Sequence, residues 1–379
     1  MKLSGDWQQD PATQSVCAAL RAGGYQALFV GGCVRNDLLA MPVQDVDIAT
    51  DATPDRVMDL ARTAGLKPVP TGIDHGTVTI VANGKPHEVT TFRRDVATDG
   101  RHATVAFSTN VEEDASRRDF TMNALYAHPD GTVVDPLGGL PDLHARHVRF
   151  VGDPAQRIRE DYLRILRFFR FTAWYGDPAL GMDSEGLAAC AEGIDGLPAL
   201  SRERIGAELR KLLSAPNPAP ATASMAQAGI LAALLPGTDI RALAPLIHLE
   251  ADLPPRWIRR LAALGGPDPT DALRLSRTES RDLAALKAEI GTTAPPAPLA
   301  YRLGAELATD ALLLRGAMLE HPLPDAWKAD TARGASARFP VTAADLPGLI
   351  GPALGQELKR LEKAWLASDL RLTRSQLLG

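Results

Sequence analysis

F-V-G-G-C-V-R-N-D-L-L-A-M-P-V-Q-D-V-D-I-A-T, from Phe29 to Thr50, is the stretch that decides the fold. The apolar run Tyr25 to Val30 ends in Gly31-Gly32, as a buried strand does where it turns into a helix. The pattern predicts a short helix from Val34 to Leu39 and a second strand from Val43 to Ala49. On that strand Asp45 and Asp47 lie two apart, so both carboxylates share a face, about 6–7 Å apart at the backbone. Like charges so placed repel, and a hard cation relieves the repulsion. Mg²⁺ suits such a pair, because it takes one or two protein carboxylates together with substrate phosphates. A D-x-D pair alone fits a polar surface strand equally well. The glycines add a second signal. At a strand-to-helix turn they let backbone N–H groups approach a phosphate, with Arg35 just inside the helix.

On the C-terminal side, Thr53-Pro54 opens another helix. Thr77 to Ala82 and His87 to Phe92 read as strands joined by Asn83-Gly84, a hairpin signal. The polar segment between Phe92 and Thr104 contains Gly100 and reads as a mobile loop near the site. The character changes at about residue 153. Asp153-Pro154 opens a long predicted helix running to about Tyr175, and the remainder is Ala- and Leu-rich with proline-marked breaks. The expected architecture is an α/β domain followed by an all-α remainder.

The chain has 379 residues, 45% of them hydrophobic and 23% charged, which predicts two or three domains and excludes a disordered protein. No apolar run approaches the ~20 residues of a membrane span, and the first residues do not read as a secretory signal. Three scattered cysteines without a C-x-x-C fit a reducing cytoplasm rather than a zinc or disulfide framework. A net charge of −5 argues against coating nucleic acid, though not against gripping it with a local basic face.

Glu160, Asp161, Arg164, Arg167 and Arg170 fall on one predicted helix, where Asp161 and Arg164 share a face. A solvated, ion-paired helix surface would show the same run. The chemistry also fits base reading. The Watson–Crick edges of C and A both present an amine donor beside a ring-nitrogen acceptor. An aspartate and an arginine can meet that pair, whereas G and U reverse both groups. Two buried polar mismatches at ~1–3 kcal/mol each give about 100-fold rejection or more.

Five motifs occur in one order: the stretch quoted above, R-R-D-F-T-M-N-A-L (Arg117 to Leu125), D-P-L-G-G (Asp135 to Gly139), R-I-R-E-D-Y-L-R-I-L-R-F-F-R-F (Arg157 to Phe171) and S-R-E-R-I-G-A-E-L-R-K (Ser201 to Lys211). Together they resemble the class II tRNA nucleotidyltransferases (CCA-adding enzymes) and bacterial poly(A) polymerases, within the superfamily that includes DNA polymerase β. The resemblance covers about residues 25–212. One departure is Asn36, where the family usually has Asp.

The resemblance implies an α+β fold, with a polymerase-β-like nucleotidyltransferase head over residues 1–137. A helical neck over 138–212 and an all-α body and tail over 213–379 would follow. It implies Mg²⁺ held by Asp45 and Asp47, with Glu88 as candidate third carboxylate on a neighbouring strand. The nucleotide set comprises Gly31, Gly32, Arg35, Arg118, Asp119, Asn123, Asp161, Arg164, Arg167 and Arg170. The implied substrates are CTP, ATP and the tRNA 3′ end. Pro70 to Ile80 looks like the CCA-adding version rather than the Arg-rich segment of poly(A) polymerases. Poly(A) synthesis, C-only or A-only addition, and a non-catalytic RNA-binding protein of the same fold remain alternatives. Basic clusters at Arg202 to Lys211, at Arg256, Arg259 and Arg260, and at Lys359, Arg360, Lys363, Arg371 and Arg374 are candidate tRNA surfaces.

Overall fold

The computed structural model describes residues 1–99 and 102–379, with backbone alone at 74, 95–99 and 102–105. The chain divides into two compact units, Met1–Glu208 with Gln227–Ala233, and Leu209–Ala226 with Leu234–Gly379.

The first unit begins with helix α1 (Pro11–Ala22), whose N-cap Asp10 accepts from the Ala12 and Thr13 amides. Strand β1 (Leu28–Val30) leads through Gly31 into α2 (Gly32–Leu38), and β2 (Asp47–Thr50) follows. Helix α3 (Pro54–Thr63) connects to β3 (Lys67–Gly72), then to the hairpin β4 (Thr77–Ala82) and β5 (Lys85–Thr91). Asn83 and Gly84 both have positive φ, as the two-residue turn read from the sequence requires. Strands β6 (Arg93–Asp99) and β7 (His102–Phe107) form a separate antiparallel pair. The segment read as a loop between Phe92 and Thr104 is thus largely strand; Gly100 lies outside the described residues. Helix α4 (Val111–Ser116) and the short strands β8 (Tyr126–Ala127) and β9 (Val133–Val134) follow.

Seven strands make one sheet in the order β3-β4-β5-β2-β1-β8-β9. Only β2 and β5 pair in parallel among its described pairings, because α3 and the β3–β4 segment carry the chain across between them. On one face Val78, Ile80, Ile48 and Val89 are fully buried, and α1 and α3 lie against β4 and β5. Alternation sends Asp47 and Glu88 to the other face.

The expected strand Val43 to Ala49 is shorter at its start. Strand β2 begins at Asp47, so Asp45 lies in the irregular approach to it and not on the strand. The expected long helix is also interrupted. After α5 (Leu140–His144), α6 (Pro154–Glu160) stops and α7 (Leu163–Tyr175) begins. Between them Asp161 is extended (φ −155°, ψ 104°), and its Oδ1 accepts from the Leu163 amide at 3.1 Å. The Tyr162 ring lies where Gly196 has no Cβ; an added one would sit 2.0 Å from the ring. Helices α8 (Ser184–Glu192) and α9 (Arg202–Leu213) follow, and the division between the units falls within α9.

The second unit is built of helices. Ala305–Leu319 packs against Leu243–Glu250, Trp257–Ala263 and Arg277–Ile290. Arg259 and Arg260 are fully buried there. Arg259 pairs with Glu250 and Asp310, and Arg260 pairs with Glu250 while donating to the carbonyls of Leu213, Ala215 and Pro216. Arg256 pairs with Asp310 and Glu306. This cluster holds the unit's interior together and is not the RNA-facing surface its sequence suggested. Among the described residues no helix is long and apolar enough to cross a membrane.

Candidate active site

The site is built around the end of the β2–β5 pair. Asp47 and Glu88 are direct partners across the two parallel strands, so their side chains share a face at neighbouring-strand spacing. Glu88 and Asp45 are exposed and Asp47 is half-buried. Burial pushes the Asp47 carboxyl up, and the charges of Glu88 and Asp45 push it further, against the pull of Arg118. A site that penalises its own negative charge in this way suits a divalent cation. Among the described residues no three His, Cys, Asp or Glu side chains form a ready metal cage. Two carboxylates completed by substrate phosphates are the usual magnesium arrangement, and hard oxygen donors fit it.

Gly31 supplies the turn beside them. Its φ of +70° is one that side-chain-bearing residues rarely adopt, and a Cβ would lie 3.3 Å from Arg118 Nη1. The Arg35 amide donates to the Gly31 carbonyl at 2.9 Å, closing the first turn of α2. Arg118 is fixed by Asp114 Oδ2 (3.0 Å) and the Tyr126 hydroxyl (3.0 Å), and its side chain stays 21% exposed above the turn. Cys33 lies beneath, with its thiol 3.9 Å from the Asp47 carbonyl; burial pushes that thiol up to about 11 and removes it from chemistry at neutral pH.

Behind the turn runs a buried polar chain. Asn123 accepts from Arg35 and donates to Asp119 Oδ1 at 2.9 Å, and Arg167 Nε donates to Asp119 Oδ2 at 2.8 Å. Burial works to raise the Asp119 carboxyl, but the Arg167 charge and hydrogen bonds from Asn123, Arg167 and the Phe120 amide outweigh it. The carboxyl is held at about 2. Arg35, Asp119 and Asn123, expected to touch nucleotide, are buried, and both amide ends of Asn123 are engaged within the protein. They hold other groups in place rather than lining an open surface.

Asp161 and Arg164 do not lie on one helical row, because the break at Asp161 separates them. Asp161 is held by Arg204 of α9 at 2.7 Å, and Arg164 by Glu160 at 2.6 Å and the Arg157 carbonyl at 2.8 Å. A carboxylate has about four lone-pair sites, and Asp161 uses two. Arg164 has five N–H donors; Nε and one Nη2 hydrogen have no acceptor among the described residues. Arg170 pairs with Glu208 at 2.5 Å and stacks on Phe171, its guanidinium carbon 4.4 Å from the ring centre. Sequence reasoning missed the specific roles of Arg204 and Glu208. Both stand in the motif Ser201 to Lys211, but nothing in their spacing shows which charge each meets.

This head, with its turn and carboxylates, is the fold of a known class. The family model described as the poly A polymerase head domain matches residues 27–149, and one described as a probable RNA and SrmB-binding site of polymerase A matches 180–247. A CCA-adding enzyme of Streptococcus gordonii is 38% identical over 287 residues, covering 73% of this chain and 69% of its own length. The mitochondrial CCA tRNA nucleotidyltransferase 1 of Mus musculus is 46% identical over 191 residues, 50% of this chain and 44% of that protein. The crystal structure of the Bacillus stearothermophilus CCA-adding enzyme in complex with CTP superposes with a TM-score of 0.74 at 30% identity, covering 95% and 94% of the two chains. The chain belongs to the CCA-adding enzyme family. Its match spans about half the length of several of these relatives, 44% for the mouse protein and 57% for that of Geobacillus thermodenitrificans.

Proposed function

We propose that this protein adds C, C and A to the 3′ end of tRNA from CTP and ATP, without a nucleic-acid template, releasing pyrophosphate. The observation that carries the reading is the Asp47–Glu88 pairing beside the Gly31 turn, with Asp45 adding to the same negative field. Asp45 and Asp47 would hold Mg²⁺, with Glu88 assisting. When bound, the metal lowers the pKa of the attacking 3′-hydroxyl and offsets charge on the leaving pyrophosphate.

The chain's own residues do the rest. The amides around Gly31 and Gly32 and the held guanidinium of Arg118 face the triphosphate. Asp161 keeps two acceptor sites and Arg164 two donors, which matches the amine and ring acceptor shared by C and A. Arg204 and Glu160 fix these two side chains in place, so G and U cannot re-aim them. Arg167 and Arg170 support the same helix from Asp119 and Glu208.

In this reading residues 1–137 are the catalytic head, 138–212 the neck that meets the base, and 213–379 the body and tail for tRNA. Lys359 and Lys363, exposed on helix Gly351–Ala367, suit RNA phosphates, which predicts salt-sensitive binding. Three buried, unpaired cysteines among the described residues agree with work in the cytoplasm.

The test uses purified protein, tRNA lacking its terminal CCA, labelled CTP or ATP, and Mg²⁺. Addition of two C and then one A is expected. A long A tail would mean poly(A) synthesis, addition of C alone or A alone a partial enzyme, and no incorporation a binding protein.

A further inference from the structure

Arg35 is buried to 6% exposure, yet no carboxylate touches it among the described residues. Its acceptors are all neutral. Asn36 Oδ1 takes Nε (3.1 Å) and Nη2 (2.8 Å), Asn123 Oδ1 takes Nη1, and the Tyr175 hydroxyl takes Nη2 at 2.8 Å. The guanidinium carbon lies 4.0 Å from the Tyr175 ring centre and 5.2 Å from that of Phe171. A charge taken out of water needs pairing, and here aromatic faces and neutral oxygens share the task. Burial accordingly pushes the guanidinium below its ordinary value, with Tyr175 and then Asp119 opposing.

Tyr175 contributes both a face and an acceptor, and it does so from the last residue of α7. The same Arg35 closes the first turn of α2 onto Gly31 and, through Asn123 and Asp119, reaches Arg167 earlier on α7. The last residue of α7 and Arg167, two turns before it, are therefore both tied to the glycine turn through a single guanidinium.

We propose that Tyr175 is a positioning residue that sets the phosphate-binding turn through Arg35, in a head that has Asn36 rather than a carboxylate beside that arginine. The inference rests on the nucleotidyl-transfer reading. Removing the hydroxyl leaves a buried N–H without an acceptor, and Arg35 must shift or admit water. The turn shifts with it, so nucleotide binding weakens while the carboxylates and the chemical step are untouched.

The experiment compares wild type, Y175F, Y175L and the double variant N36D/Y175F. It measures CTP affinity without tRNA, KM and kcat for CTP and ATP, and melting temperature. Y175F is expected to raise KM for both nucleotides about fivefold and Y175L more than about tenfold, with kcat within about twofold of wild type. CTP affinity should fall by the same factors. N36D puts a carboxylate at the atom already accepting two of the Arg35 N–H groups, and should restore Y175F to within about twofold of wild type. A purely structural role would lower melting temperature and leave CTP affinity and KM alone. Folded Y175L with wild-type CTP affinity overturns the proposal. Wild type that binds CTP but incorporates nothing overturns the transfer reading instead, and the CTP-affinity series still decides the role of Tyr175.

Discussion

Asp47 and Glu88 face one another across the parallel pair β2–β5. Asp47 opens one strand and Glu88 sits within the other, so the pairing register alone brings them together from 41 positions apart in the chain. If Glu88 shares the metal load, E88Q should raise the Mg²⁺ concentration for half-maximal activity and slow transfer by roughly 10- to 100-fold. A magnesium titration of transfer rate checks this. An unchanged midpoint would make Glu88 a bystander on the sheet surface.

Arg204 is expected to act through Asp161. R204M frees the carboxylate from its 2.7 Å partner and lets it turn. Misincorporation of UTP and GTP relative to CTP and ATP should rise by about 10-fold, from the loss of one polar match. Competition assays with all four nucleotides read the ratio directly. A lower overall rate with selectivity intact would mean that Arg204 serves folding alone.

Asp119 links the site to acid stability. Its carboxyl is held at about 2 in the folded protein. Because that lies below the unfolded value, the stabilisation is fully present above about pH 4 and disappears as pH falls through about 2. A shift of this size corresponds to about 2 kcal/mol. D119N should therefore be less stable than wild type at pH 7 by about that amount, and the gap should close toward pH 2. Urea unfolding of the two proteins across that range tests it; a gap independent of pH would show that charge is not its source.

In the second unit, R260A leaves the buried Glu250 with one arginine instead of two and leaves the carbonyls of Leu213, Ala215 and Pro216 without that donor. Removing one partner of a buried ion pair costs about 3–5 kcal/mol. A large drop in melting temperature is expected, checked by calorimetry. R360A, at an exposed arginine paired with Glu357 on the same helix turn, should change stability little.

How much of this was legible in the sequence depends on the kind of interaction. The glycine turn and Asp47 were readable because turn chemistry and strand alternation are local rules, whereas Glu88 was named from the family resemblance alone. Asp45 was misplaced because alternation continues past the point where hydrogen-bonded pairing starts. The break at Asp161 was hidden because Ile158, Leu163 and Ile165 keep a helical apolar rhythm through it. The Tyr162–Gly196 approach and the Arg204–Asp161 ion pair accompany it, and both need tertiary structure. Strand β3 was missed because Pro68 and Pro70 disguise it; it stands at the sheet edge, where proline is tolerated. Arg259 and Arg260 looked like surface because their partners Glu250 and Asp310 are brought to them by folding. Asn123 and Asp119 are buried in a hydrogen-bond chain with Arg35 and Arg167, and such a chain cannot be read from spacing.

The central claim is that the carboxylates at the head of β2 carry the transfer. Single-turnover incorporation of CMP into tRNA lacking its CCA end tests it most directly, comparing wild type with D47N and measuring CTP affinity of both in parallel. The account predicts extension by wild type and a loss of roughly 10³-fold or more in D47N, about 4 kcal/mol of barrier, with CTP still bound. Extension by D47N at the wild-type rate would contradict it.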